Sequence, residues 1–263
     1  MDDRQPAEMA ELEPAPAFLP SPSPSPSPSR PLPRWLALLQ TLLVCGIPTQ
    51  VLVAVLLAVV FRMPFDPANL SFAFFATLSI VDTVLVLVLI RVFLAASGET
   101  PARVFLGDRH WRREALRGLL LLPAVFLGVT LIVLAVRALA PWMHNVERNP
   151  LENFMDTPLE AAAFVMIVIV AGGVREELQR AFILHRFEQR LGGAVLGLLL
   201  FSAAFGLLHI DQGYDSAVGI GLLGLLWGAI FIRRGSVVAP MVNHASFNVT
   251  QVLQGLLMKT LGN

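Results

Sequence analysis

The sequence predicts an all-α, polytopic transmembrane helix bundle, and three observations predict it. Of 263 residues, 56% are hydrophobic and only 14% charged, against roughly 25% charged in an average soluble domain. Apolar runs near 35–61, 70–96, 118–139, 159–182, 194–210, 216–232 and 239–259 approach the ~20 residues that a helix needs to cross a bilayer, giving about seven spans. The connections between them alternate in charge. Arg30 and Arg34, then Arg103, Arg109, Arg112, Arg113 and Arg117, then Arg186 and Arg190, then Arg233 and Arg234 fall on one side. Asp66, then Glu147, Glu152 and Asp156, then Asp211 and Asp215 fall on the other. With the basic side cytoplasmic, the bundle is N-inside and C-outside.

Met1 to Ala17 is acidic and lacks the apolar core of a secretory signal. The alternation Pro20 to Ser29 cannot bury surface, so 1–34 reads as a disordered, Pro/Ser-rich cytoplasmic lead. Two N-terminal transmembrane helices occupy 35–104, the first interrupted by Pro48 and the second carrying Asp82 beside Thr83. In such a place an aspartate either lines a cavity or bonds to neighbouring helices. The remaining 105–263 forms the core. It opens with the basic stretch Arg109 to Arg117, continues through a span kinked at Pro123, and includes a helix that ends at Gly192-Gly193. The last three spans are short or Gly-rich, so their ends are soft. Trp142 and His144 fall in an external loop with no partner visible in the sequence, and Trp227 reads as a packing aromatic.

Composition also limits partners. A formal net charge of zero argues against nucleic acid, and the chain's one cysteine, Cys45, lies in an apolar helix where no disulfide forms. Membrane lipid and a membrane-associated protein or peptide are the partners that remain.

Candidate chemistry concentrates late in the chain. Glu176 and Glu177 sit side by side in the middle of an otherwise membrane-grade apolar stretch, and His209, His244 and Asn248 recur in the later apolar helices. Ionisable groups are costly there and mark functional sites. Glu176 and Arg180 are four residues apart, so they share a helix face and can pair, while Glu177, ~100° away, points elsewhere. A carboxylate in an apolar cavity without such a partner suits water activation. Glu176 precedes Gly192 by about as many residues as separate Gly192 from His209, so an antiparallel helix pair sets both at one level. His244 and Asn248 share one face of the last helix, as Phe205 and His209 do of theirs. Solvated charges at a helix end, and a hydrogen-bonded core histidine, are the plainer accounts of these residues taken singly.

Taken together they resemble a known family. The ordered set of a Glu-Glu-x-x-x-Arg, a Phe-x-x-x-His and a His-x-x-x-Asn motif, each on its own transmembrane helix, is similar to that of the CPBP family of CAAX proteases and bacteriocin-processing enzymes. Phe205 to His209 and His244 to Asn248 match the second and third motifs, and the resemblance covers about 105–258. The first motif departs from the pattern, because Arg180 comes one residue early. In one register Glu176 and Glu177 are the family pair; in the other, Arg175 stands where the family's catalytic glutamate would be.

The resemblance implies an endopeptidase that cuts at the membrane with activated water, its substrate a membrane-associated, prenylated CAAX-type protein or another peptide. Glu176, Glu177, His209, His244 and Asn248 are then catalytic, with Arg180 and Phe205 in support. Glu176 with His209 would take the proton from water, and His244 and Asn248 would meet the oxyanion. Either no metal or a zinc ion on Glu176, His209 and His244 is compatible with these residue types, although no HExxH helix is present. A catalytically degenerate scaffold or immunity protein, and a transporter using the glycines of the sixth span, are the other classes. A transporter of this kind would show internal repeats, which the sequence lacks.

Overall fold

The computed structural model describes residues 32–66, 70–147 and 149–262. The Pro/Ser-rich lead therefore lies outside the described residues up to position 31. Among the described residues the fold is helical throughout, without strands.

Helix α1 (Arg34–Val44) breaks at Gly46, whose φ of +94° only glycine adopts readily, and restarts as α2 (Ile47–Val55) with Pro48 in its first turn. The break bends the pair by 50°. A π-helical turn, Leu56–Val60, extends α2. Helix α3 (Phe72–Ala96) starts where the Ser71 hydroxyl accepts from the Phe74 amide. The short α4 (Pro101–Phe105) leads to α5 (Trp111–Leu139), which contains Pro123.

Helix α6 (Pro158–Ile167) opens on a capping box in which Thr157 and Glu160 satisfy each other's backbone amides. It passes without interruption through a π-helical segment, Val168–Arg175, into α7 (Glu176–Arg190). Helix α8 (Ala194–Leu207) returns antiparallel to α7, α9 (Tyr214–Arg234) ends on left-handed Gly235, and α10 (Val238–Gly262) closes the described chain.

Four stretches are long and apolar enough to cross a membrane: Phe72–Ala96, Trp111–Leu139, Pro158–Arg190 and Tyr214–Arg234. The bent α1–α2 pair, taken as one span, makes five. Helix α8, with 14 residues, reaches only ~21 Å at 1.5 Å per residue. Asn243, His244, Asn248, Gln251 and Gln254 dilute the apolar character of α10. The expected seven segments are thus helical, but two of them lack the length or hydropathy to qualify alone. Apolar side chains such as Leu120, Leu139 and Val195 face outward, the inverse of a soluble fold. The chain is a multi-pass integral membrane protein.

Helix α10 lies between α5 and the π-helical segment, while α8 packs on both α7 and α9. One apolar cluster joins Val44, Val86, Ile90, Phe182 and Ile183, tying α1 and α3 to α7; another joins Val125, Phe205, Leu223, Trp227 and Phe247 across α5, α8, α9 and α10. Polar clamps close both ends of the antiparallel α5–α9 pair. Glu114, 1% exposed, is held by Arg117 and Arg234 at one end. At the other, Asp215, also 1% exposed, accepts from Arg137 at 2.6 Å and meets His144 at 3.0 Å. The long-range pairing supplies the partner for His144 that the sequence did not reveal.

Candidate active site

The site is built around the start of α7, where the π-helical segment matters most. A π turn is a one-residue expansion of an α-helix, so it rotates the next turns of the helix by ~100° and widens the local backbone. Here it lies flat against α10. A Cβ on Gly173 would stand 2.5 Å from that of Ala245, and one on Gly172 would stand 2.5 Å from Asn248 Nδ2. Asn248 uses this proximity to donate from Nδ2 to the Val168 carbonyl at 3.3 Å. The motif residues of α10 are therefore brought onto the backbone that carries the glutamates.

Glu177 points inward and is 1% exposed. It accepts from Arg180 and meets His244 Nδ1 at 2.8 Å, both on Oε1. This corrects the pairing read from spacing, which gave Arg180 to Glu176. Helical side chains lean toward the N-terminus, and the three-residue step lays the arginine back over Glu177. The second glutamate has its arginine, and the first has none among the described residues. Glu176 is more open, with its side chain 17% exposed and Oε2 3.9 Å from His244 Nε2.

Arg180 is fully buried, and its Nε and Nη2 have no hydrogen-bond partner among the described residues. Aromatic faces take that role. Its guanidinium carbon lies 4.9 Å from the Phe205 ring centre and 5.6 Å from those of Phe201 and Trp227, within the range of a cation–π contact. Arg180 and Phe205 lie one turn nearer the α7–α8 loop than Glu176 and His209, and they are in contact across the antiparallel pair.

His209 sits just past the end of α8, half-buried, with its ring 4.7 Å from that of Phe205. Its Nδ1 is 2.7 Å from the Phe205 carbonyl, which can only accept. Nδ1 therefore carries hydrogen and Nε2 is left open. Phe205 also approaches His244 edge-on at 6.4 Å, so one phenyl ring separates the two histidines. Glu176, Glu177, Arg180, Phe205 and His244 come together; His209 joins through Phe205, and Asn248 lies one turn along α10.

Two features escaped the sequence reading. Trp227 stacks on His244, with ring centres 3.7 Å apart and planes 16° from parallel. Next to Glu176, buried Arg175 donates to Gln179 at 2.7 Å and stands 3.5 Å from Asp82 of α3. Asp82 is thus a helix-to-helix partner, one of the two roles expected for it. A tryptophan in a Gly-rich helix and an arginine beside a glutamate pair were available signals, but neither has a recognisable motif.

Of the three side chains considered for zinc, His209 and His244 spend only Nδ1, on a backbone carbonyl and on Glu177, which leaves Nε2, the nitrogen such an ion would take. Among the described residues no group of three His, Cys, Asp or Glu side chains is gathered closely enough to hold a metal ion.

The helical bundle thus sets a buried carboxylate, Glu177, and a partly open one, Glu176, beside the buried imidazole of His244. Residues 158–250, from the first residue of α6 to well inside α10, match the family model Rce1-like, described as type II CAAX prenyl endopeptidase. The matched segment, about a third of the chain, is similar to that family, and it contains every candidate residue from Glu176 to Asn248. The family is one of proteases, which supports a membrane protease. No curated protein and no solved structure matches the chain.

Proposed function

We propose that the protein is an intramembrane endopeptidase that hydrolyses a membrane-associated, CAAX-type substrate with water activated by Glu176. The observation that carries this reading is the 3.9 Å separation between Glu176 Oε2 and His244 Nε2. It is too long for a direct hydrogen bond and suits one bridging water molecule. Glu176, partly open and without an arginine partner among the described residues, takes the proton from that water. The hydroxide attacks the scissile carbonyl carbon, Asn248 donates to the oxyanion, and the proton on Glu176 passes to the leaving amine as the C–N bond breaks. His209, with Nε2 open, is a second acceptor near the same rim, and Glu177 holds His244 in register.

The substrate class has its own support. An apolar groove of about 650 Å³ is lined by residues that include Leu199, Ser202, Gly206, Leu207, Leu222 and Leu225. Ser202, Gly206, Leu207 and Ile210 flank Phe205 and His209 along one wall, so an isoprenoid chain laid in the groove would bring its attached peptide to the site. The chain is read as about seven spans, N-inside and C-outside, with α8 and α10 completing the count and 105–263 as the protease core. A bacterial inner membrane is the setting that the resemblance favours.

Mass spectrometry of paired peptides with and without the isoprenoid, incubated with the purified protein and its Glu176→Gln form in lipid, tests this reading. Cleavage by the wild type alone, faster on the prenylated peptide, is expected. Equal fragment yields from both proteins would remove Glu176 as the base; equal rates on both peptides would remove the groove from substrate selection.

A further inference from the structure

The imidazole of His244 is held by more than its bond to Glu177. Trp227 of α9 lies parallel to it at 3.7 Å, close to the contact distance of non-bonded carbon atoms. The indole is itself fixed: Nε1 donates to Asn243 Oδ1 at 2.8 Å, and Asn243 Nδ2 donates to the Gly118 carbonyl of α5 at 2.9 Å. A Cβ on Gly118 would stand 2.5 Å from the Ala239 carbonyl oxygen, so α10 rests on the α5 backbone where this bond forms. Trp227, Asn243 and His244 are all buried.

We propose that Trp227 and Asn243 are positioning residues that set the plane of the His244 ring, so that Nδ1 meets Glu177 while Nε2 faces Glu176. A single hydrogen bond at Nδ1 leaves the ring free to swing about that bond. A parallel indole removes this freedom, because any tilt drives an imidazole edge into it. The indole cannot turn away without breaking its bond to Asn243 in a buried setting. The remaining charged groups at the ring are Glu176, Glu177 and, through Glu177, Arg180; Phe205 approaches edge-on. Phenylalanine at 227 would supply a face without the anchor, and leucine would supply neither. The consequence for rate rests on the protease reading; the geometry does not.

The test uses the full chain in lipid nanodiscs with isotope-labelled histidine. Five histidines are present, and the His244 ring signals are assigned by their loss in His244→Gln. The indole ring current should displace those signals upfield in the wild type, less so in Trp227→Phe, and not at all in Trp227→Leu; Asn243→Ala should reduce the displacement. With a cleavable peptide, Trp227→Leu should lower kcat by about 10- to 100-fold with little change in KM, as for a misplaced catalytic group. Trp227→Phe, which keeps an aromatic ring in place, should lose less, separating positioning from failure to fold. An unshifted His244 signal in the wild type, or wild-type kcat in both Trp227→Leu and Asn243→Ala, overturns the proposal. A wild type that cleaves nothing removes the protease reading, and the ring-current shift then decides the positioning alone.

Discussion

Helix α7 carries two clusters of glutamate, histidine and arginine about two turns apart. At its start Glu177 and Arg180 meet His244 of α10. At its end His185 and Arg186 meet Glu99, just beyond α3. In the second cluster every charged group is matched. Glu99 accepts from Arg186, Gln189 and His185 at 2.5–2.6 Å, and Arg186 also donates to Gln40 at 2.7 Å and to Gln189 at 2.9 Å. In the first, Arg180 spends one nitrogen on Glu177 and leaves Nε and Nη2 to aromatic faces, His244 keeps one nitrogen open, and Glu176 stands beside the cluster without an arginine among the described residues. On the proposed function, the difference separates a clamp from a site: identical residue types become chemically available only where the bonding capacity is not used up.

The largest effect expected from breaking this contrast is on fold. Glu177→Ala leaves Arg180 as an uncompensated buried charge, a loss of about 3–5 kcal/mol, and thermal unfolding in detergent should show it with activity lost alongside. Glu176→Gln should do the reverse, unfolding like the wild type while cleavage falls by about 10²- to 10⁴-fold, the range for a general base. Removing the Asn248 amide with alanine should lower kcat by about 10²- to 10³-fold, as for an oxyanion donor. A chelator should leave cleavage unchanged, because the donors are not gathered around a metal; loss of activity restored by zinc would contradict that.

The smallest effect is a pH dependence at the clamp. Burial pushes the Glu99 carboxyl up, but its bonds from His185, Arg186 and Gln189 outweigh this and hold it below the ordinary carboxylate range. Its folded pKa is thus depressed, so its stabilisation is present above the unfolded value of about 4.3 and is lost as pH falls through the lower, folded value. Stability measured from neutral to strongly acid pH should drop less steeply in Glu99→Gln than in the wild type.

Much of this was legible from residue order. Hydropathy placed all the long helices, and the motifs at Phe205 to His209 and His244 to Asn248 pointed to side chains that meet near α7. Two things were not. The partner of Arg180 depends on how a side chain leans along α7, which spacing alone assigned to the wrong glutamate. The Trp227–Asn243 anchor, like the Asp82–Arg175 and His144–Asp215 pairs, depends on which helix faces which, and nothing in a single sequence records that. Asn243 offered one hint, since an amide in an apolar helix needs a partner.

The most direct test compares cleavage by the wild type, Glu176→Gln and Glu99→Gln at equal folded fractions. The contrast between the clusters predicts at least a ~100-fold loss for Glu176→Gln and a wild-type rate for Glu99→Gln. Equal rates in all three, or an equal loss in both variants, would contradict the assignment of catalysis to the first cluster.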